Sequence, residues 1–598
     1  MGPHLGDFTT DGRRLTLLSA IALALGALSG LVAFALLRLI GLITNLTYDA
    51  RWNATLVAPS LAHWGAATVV IPVLGGIAVG VLARYGTDKI RGHGIPEAIQ
   101  AILEDGSRMQ PRVAVVKPIA SAITIGTGGP FGAEGPIIMT GGAVGSLVAQ
   151  FFSLSSLERR TLLVAGAAAG MSATFGAPIS SVMLAVELLL FEWRPRSLVP
   201  VACAAAVADV MRVVLLGSHP VFATVSLPFT QVALLPWSLA VGLAAGLASG
   251  LLTKAVYFVE DSYPRLRVHW MWWPAIGGLA VGLGGLLVPQ ALGVGYPTIR
   301  ALDAGHVLLG AALALLVVKA LIWVISLSSG TSGGVLAPLL LLGGALGTVL
   351  GLALPGHHVA LWATVGMASM LGGTMRAPFT ATIFTLETTH DFGAITAVFL
   401  GSVAAMAVTV LWIPRSILTE KVARRGVHVA REYGVHPLEG VSVAQLMVSR
   451  DYVQTLPAAA TVAAVARAMS ASLGRQHDVY PVLSEDGKVV GVVRAGPVLA
   501  AAVLGRDAAI GDLAHTASSV PTTARARQAV EAMARTGEHA LVAVQPDGTW
   551  AGIVTQADIL AALRRAVNEE EERARVWTLR LRRPATPPVA ATLEAEQA

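Results

Sequence analysis

Between Val113 and Leu157 the only ionisable side chains are Lys117 and Glu134, in a stretch otherwise apolar enough to lie inside a membrane. Glu134 sits in Gly128-Gly129-Pro130-Phe131-Gly132-Ala133-Glu134-Gly135-Pro136. Two other glycine-rich segments interrupt apolar sequence, Gly92-His93-Gly94-Ile95-Pro96 and Ser328-Ser329-Gly330-Thr331-Ser332-Gly333-Gly334-Val335-Leu336-Ala337-Pro338, and each also ends in proline. Proline suits the first turn of a helix because its missing N–H would be unpaired there, and the glycines before it let the chain turn its amides inward. Exposed amides at the positive end of a helix dipole attract an anion without a fixed cation, and partial charges can replace its water yet release it. The candidate anion ligands are therefore His93, Gly94, Ile95, Gly132, Ala133, Gly135, Gly334, Val335 and Leu336. A carboxylate at such a helix start competes for the anion's place, and it can leave by swinging out or by taking a proton. Glu134 is thus the candidate gate. The alternative is a plain helix cap or one half of a buried pair with Lys117.

These loops need long apolar elements to hold them. The chain of 598 residues is 54% hydrophobic and 13% charged, with a mean hydropathy of +0.68, far from soluble averages. Apolar runs able to cross a bilayer begin near Leu15 and recur until about Trp412. From Val422 onward charges become frequent and short apolar blocks alternate with Gly, Asp and Pro turns, which reads as a soluble α/β region after a boundary near residue 430. The first run, Leu15 to about Leu46, is too long for a signal peptide core and predicts a retained helix. Arg13 and Arg14 ahead of it, with the charged region after the last run, predict cytoplasmic termini and a multi-pass protein of the plasma membrane. The net charge of +6 is accounted for by such flanks. The soluble part carries no basic stripe with interleaved aromatics, which argues against a nucleic-acid partner. The single cysteine, Cys203, excludes an intramolecular disulfide framework or a cysteine metal cluster.

The apolar half is duplicated. At a constant offset of 200, Leu162–Glu187 lies over Trp362–Glu387, matching Gly166 with Gly366, Ala168 with Ala368, Thr174 with Thr374, Ala177-Pro178 with Ala377-Pro378 and Glu187 with Glu387. At an offset of 202, Gly132–Pro136 lies over Gly334–Pro338 and Gly141-Gly142-Ala143 over Gly343-Gly344-Ala345. Transporters built from paired repeats commonly hold their substrate near the midplane, between broken helices whose N-termini point at it.

The three loops, their order and the repeat resemble the chloride channel and transporter (CLC) family over roughly residues 15 to 430. Its GxGIP, GxEGP and GGxxxP signatures are similar to the segments at Gly92, Gly132 and Gly333. The resemblance implies an α-helical polytopic fold with a duplicated inverted repeat and broken helices, an anion path lined by loop amides, and a homodimer with one pore per subunit. It also implies an external gate at Glu134 and electrostatic support from Lys117. Three positions depart from the family. His93 replaces the usual serine, Leu336 the usual aromatic, and Leu418, in the last membrane helix, a tyrosine whose hydroxyl usually completes the central anion site. His93 could donate a ring N–H in compensation, or simply pack against backbone. Proton-exchanging members commonly carry an inner glutamate where Leu188 stands, which tilts the reading towards a passive channel. Glu187 and Glu387 are read as packing or polar-pairing residues.

In the soluble part, residues 441–499 and 510–565 each read as a strand and helix unit ending in a β-hairpin, a pattern resembling a tandem pair of CBS domains within 437–567. Asp547–Asp558 is the best match, and the resemblance implies that Thr555 and Asp558 bind the ribose of an adenine nucleotide. The first copy has Arg494 and no matching aspartate, so one nucleotide site is expected at most, and a purely structural dimerisation module is the alternative. Residues 568–598 read as a charged, disordered tail. The function expected is transport of chloride or a similar small anion, as a channel or as a chloride/proton exchanger, with membrane lipid as a further partner, protons as another in the exchanger form, and no required cofactor. A CBS-regulated divalent cation transporter is the competing class, but the apolar segments offer few carboxylates for it. An enzyme is not expected, because no Walker loop, zinc-ligand spacing or nucleophile triad occurs.

Overall fold

The computed structural model describes residues 12–222, 231–354, 358–426, 438, 441–471 and 478–565. The chain divides into two units, Met1–Glu432 and Tyr433–Ala598. The connection around residue 430 and the tail at 568–598 lie outside the described residues.

The first unit is helical throughout. Its first half contains α1 (Gly12–Tyr48), α2 (Val70–Tyr85), α3 (Ile95–Leu103), α4 (Pro111–Gly126), α5 (Glu134–Gln150), α6 (Ser156–Phe175), α7 (Pro178–Leu184, continued by a π-helical turn Ala185–Leu190) and α8 (Pro195–Leu216). The second half repeats the order with α9 (Leu235–Glu260), α10 (Trp273–Leu287), α11 (Tyr296–Asp303), α12 (Leu309–Ser328), α13 (Leu336–Gly351), α14 (Val359–Met375), α15 (Pro378–Thr389) and α16 (Ile395–Trp412), and α17 (Ile417–Ala423) follows. Among the described residues seven helical spans are long and apolar enough to cross a bilayer. The intervening α3, α5, α11 and α13 are short and begin at glycine-rich loops.

The two halves pack alike. α5 lies on α6 as α13 lies on α14, and α1 lies on α8 as α9 lies on α16. Small residues make the first of these contacts possible. A Cβ on Gly141 would collide with the Gly166 carbonyl and one on Gly166 with that of Gly141, and Gly343 and Gly366 repeat the arrangement. Without water to drive helices together, such close backbone approach supplies dispersion contacts that bulkier residues forbid.

The halves run in opposite directions. The Glu187 carboxylate, at the end of the first half's α7 segment, accepts from the N–H groups of Phe379 (3.3 Å) and Thr380 (2.7 Å) at the start of α15. Reciprocally, Glu387 near the end of α15 accepts from the N–H groups of Ile179 (2.9 Å) and Ser180 (2.7 Å) at the start of α7. Each glutamate therefore caps the other's helix, satisfying amides that lipid could not. This is the polar pairing expected of Glu187 and Glu387.

The second unit holds two α/β modules. One sheet has strand order β2-β3-β4, from Leu456–Pro457, Val479–Leu483 and Val489–Arg494. The other has order β1-β7-β6-β5, from Val448–Ser449, Trp550–Thr555, Ala540–Val544 and Ser519–Pro521. The short β1 of the first module pairs antiparallel with β7 of the second, Val448 opposite Ile553, so the modules are interlocked. Each keeps its own apolar core, around Val482, Val493 and Val498 in one and Leu541, Ala543 and Val554 in the other.

Candidate functional site

The three glycine-rich loops meet at one place. Gly132 and Gly334 exchange backbone hydrogen bonds, the Gly334 N–H donating to the Gly132 carbonyl at 2.8 Å and the reverse bond spanning 3.3 Å. This antiparallel bridge lies directly ahead of α5 and α13, so the two helix N-termini face the same small volume. The first loop joins through the Gly92 N–H, which donates to the Thr331 carbonyl at 3.1 Å. Ser121 on α4 and Ser332 share a hydrogen bond of 2.7 Å.

Glycine is required at the junction. Gly94 has φ +91°, and a Cβ there would lie 2.6 Å from the Gly135 carbonyl oxygen. A Cβ on Gly135 would collide with the His93 carbonyl and stand 3.0 Å from Gly334 Cα. Gly94, Gly135, His93 and Gly334 are thus in backbone contact, as their shared role demands.

Glu134, the first residue of α5, is fully buried. Its carboxylate folds back against Gly132 and Gly334, where a Cβ at either position would strike it. Oε1 accepts from the Ala337 N–H at 3.1 Å, in the first turn of α13, and Oε2 has no hydrogen-bond partner. The carboxylate therefore caps the repeat-related helix, in the place where the dipole of α13 would hold an anion. Ala133 and Val335 are the N-cap residues of α5 and α13, and Leu336 is the buried first residue of α13.

Lys117 does not pair with Glu134. Its buried Nζ donates to the carbonyls of Ile90 at 2.7 Å and Gly92 at 2.6 Å, gripping the first loop. His93 is 3% exposed, and its Nδ1 has no hydrogen-bond partner. Ile95, also buried, opens α3, whose N-terminal Gly94 N–H is taken by Glu97 at 3.0 Å. Leu418 is buried in the first turn of α17, which packs on α3. That helix is held by Arg425, which reaches Glu97 at 3.1 Å and Gln100 at 2.6 Å, and by Arg424, which makes a two-pronged pair with Asp261 at 2.6 and 3.2 Å. The Asp261 pair draws the Arg424 guanidinium above its usual range.

Sequence reasoning missed a fourth loop. Gly293-Val294-Gly295-Tyr296-Pro297 stands at an offset of 201 from Gly92–Pro96, and Lys319 at an offset of 202 from Lys117. Lys319 Nζ donates to the carbonyls of Ala291 (2.8 Å) and Gly293 (2.9 Å), repeating what Lys117 does. Extending the offset search beyond the strongest blocks finds both. Tyr257 was also missed: its hydroxyl donates to the Ile417 carbonyl at 2.5 Å, next to Leu418. It lies far from Leu418 in sequence, and no spacing rule leads to it.

In the second unit, Thr555 and Asp558 face each other. Asp558 Oδ2 accepts from the Thr555 N–H at 2.8 Å and hydroxyl at 2.7 Å, and the Asp558 N–H returns to the hydroxyl at 3.3 Å. This is a helix cap at the start of the helical residues 556–565. In the preceding hairpin turn, hydrogen bonds from Thr549 hold the Asp547 carboxyl below its usual range.

Two inverted halves, with short helices meeting end-on around a buried carboxylate, define a multi-pass membrane protein of the broken-helix transporter class. The chain belongs to the voltage gated chloride channel family, whose model matches residues 74–410. Two CBS domains match at 443–496 and 510–565. Among curated proteins it is similar to the H(+)/Cl(-) exchange transporter ClcA of Citrobacter koseri, 30% identical over 389 residues that cover 62% of this chain and 80% of the relative. Its fold is similar to that of a slow cyanobacterial Cl-/H+ antiporter (TM-score 0.62, 21% identity, 70% of this chain and 99% of the other). It is also similar to that of a eukaryotic CLC transporter (TM-score 0.57, 17% identity, 91% of this chain and 98% of the other).

Proposed function

We propose that this protein carries chloride, or a similar small anion, across the membrane past Glu134. One observation carries the reading: the Glu134 carboxylate occupies the N-terminus of α13 through the Ala337 amide. An anion entering that site must displace it. The amides of the loops at 92–96, 132–136 and 334–338, apart from those of Gly92, Gly94, Gly132 and Gly334 that are committed within the protein, then take the place of the anion's water. Glu134 is the only carboxylate on α5, and its partner position in the other half is the apolar Leu336, so a single gate serves the path.

Proton exchange is the first form of this function, because the similar curated proteins are named H(+)/Cl(-) exchange transporters and Glu134 can carry a proton as it moves. Passive conduction is the second. It is favoured by Leu188, buried and apolar in the π-helical turn where the resemblance puts an inner proton-carrying glutamate. The positive flank at Arg13 and Arg14 supports cytoplasmic termini in the plasma membrane, and the family resemblance supports a homodimer. Thr555 and Asp558 remain the candidate ribose ligands of an adenine nucleotide.

Reconstituted vesicles with a steep chloride gradient test both forms. An exchanger drives protons uphill, and a channel passes chloride with no proton movement. Glu134→Gln, which mimics the protonated gate, is expected to give chloride flux that no longer varies with pH. Flux with an unaltered pH profile would refute the gate.

A further inference from the structure

The fourth loop carries a buried hydroxyl that has no hydrogen-bond partner. Gly94 packs on Met139 of α5, and Gly295 packs on Leu341 of α13, the equivalent position at an offset of 202. The start of α3 therefore closes the site from one side of the membrane, and by the repeat symmetry the start of α11 closes it from the other. The residue that opens α3 is Ile95, and the one that opens α11 is Tyr296.

Tyr296 is nine-tenths buried, and its hydroxyl has no hydrogen-bond partner. Its ring is locked edge-on against Phe222, with centroids 5.4 Å apart, and against Phe175 at 6.3 Å, while Phe175 packs on Phe384 at 5.0 Å. Gly295, next to Tyr296, packs on Leu341, one helical turn from Ala337, whose N–H holds the Glu134 carboxylate. Arg212 donates through its terminal nitrogens to the carbonyls of Gly217 and His219 and keeps an unpartnered Nε, and Arg300 donates to that of Val221. Glu134 Oε2 and the Tyr296 hydroxyl are both buried without hydrogen-bond partners. A buried polar atom left unpaired is costly enough that each such case calls for a reason.

We propose that Tyr296 is a positioning residue for the gate, its hydroxyl receiving the Glu134 carboxyl when that side chain leaves the α13 N-terminus and swings to the α11 side. The inference rests on the gating role of Glu134. Moving outward breaks the bond to the Ala337 N–H, and the tyrosine supplies a replacement without moving, because its ring is held by Phe175 and Phe222. The position is also where the two halves differ in chemistry, since Ile95 offers no such group on the α3 side.

Chloride efflux from vesicles carrying equal amounts of native protein, Tyr296→Phe, Glu134→Ala and the double variant tests this. Tyr296→Phe keeps the ring and removes only the hydroxyl. It is expected to lower flux by about threefold to tenfold, the worth of one ordinary hydrogen bond. In the Glu134→Ala background, where no carboxyl needs a resting place, the same change is expected to leave flux as it was. Unchanged or raised flux in Tyr296→Phe overturns the proposal. So does an equal fall in both backgrounds, which marks a merely structural hydroxyl. If Glu134→Ala itself leaves flux and its pH dependence as in the native protein, it is the gate assignment that fails.

Discussion

Gly94 and Gly295 occupy equivalent positions in the two halves, with φ of +91° and +82°, yet alanine meets different obstacles there. At Gly295 the new methyl would meet Leu341 Cδ1, the far end of a flexible side chain. At Gly94 it would stand 2.6 Å from the Gly135 carbonyl oxygen and 3.3 Å from Met139 Cβ, atoms fixed to the backbone of α5. Gly295, with ψ +19°, is left-handed and a Cβ there costs about 1–2 kcal/mol, and Gly94, with ψ −39°, lies outside that region, where a Cβ costs at least as much. Gly94→Ala adds an overpacking cost of about 1–3 kcal/mol, because the two loops must separate by about half an ångström to relieve it. Expected losses are thus about 1–2 kcal/mol for Gly295→Ala and about 2–5 kcal/mol for Gly94→Ala. The separation falls at the start of α5, where the Glu134 bond to Ala337 is already 3.1 Å, so chloride binding is expected to weaken about tenfold in Gly94→Ala, or 1.4 kcal/mol. Thermal unfolding of detergent-solubilised protein, with and without saturating chloride, measures both effects, since bound chloride raises the midpoint by mass action. Equal destabilisation by the two variants, or native chloride stabilisation in Gly94→Ala, would refute the reasoning.

Lys117→Met removes the donor to two loop carbonyls; calorimetric chloride titration is expected to show weaker binding, and native affinity would mean that the loop holds its shape unaided. Glu387→Ala strips the start of α7 of its cap, and Glu187→Ala does the same to α15. Each is expected to cost about 1–3 kcal/mol in thermal or denaturant unfolding, with chloride selectivity kept, and a loss confined to one of them would contradict the reciprocal geometry. Asp558→Ala removes the cap on Thr555 and is expected to destabilise the second CBS module by about 1 kcal/mol. Titration of the same variant with ATP and AMP reads the adenine-nucleotide expectation, which fails if the native protein binds neither.

The fold was legible because its determinants are local and repeated. Long apolar runs gave the spans, and the alignments at offsets of 200 and 202 revealed the duplication. Gly-Pro punctuation located the starts of α3, α5 and α13. Glu134 stood out as the candidate gate for a different reason, since a carboxylate in a long apolar stretch has few harmless explanations. What could not be read was the direction of each polar side chain. Lys117 and Glu134 are the only ionisable groups in their stretch, which made an ion pair between them plausible, yet Lys117 turns to the carbonyls of Ile90 and Gly92. Thr555 and Asp558 fit a ribose motif, and the same spacing also makes a helix cap. Sequence spacing alone does not separate these uses.

The duplicated frame also explains why so few residues need to be special. Symmetry alone would place identical chemistry on both sides of the site, and Lys117 and Lys319 keep to it, each gripping two carbonyls of a loop in its own half. Directionality has to come from positions where the halves disagree. The largest disagreements fall at the starts of the four short helices: Glu134 opens α5 where Leu336 opens α13, and Ile95 opens α3 where Tyr296 opens α11. The carboxylate crosses to the opposite helix because that helix has no carboxylate of its own to repel it. The residue proposed to receive it, Tyr296, opens α11. Under the proposed gating role, Glu134 has one resting place at the α13 N-terminus and a second at α11, and both follow from apolar-to-polar exchanges in an otherwise repeated scaffold.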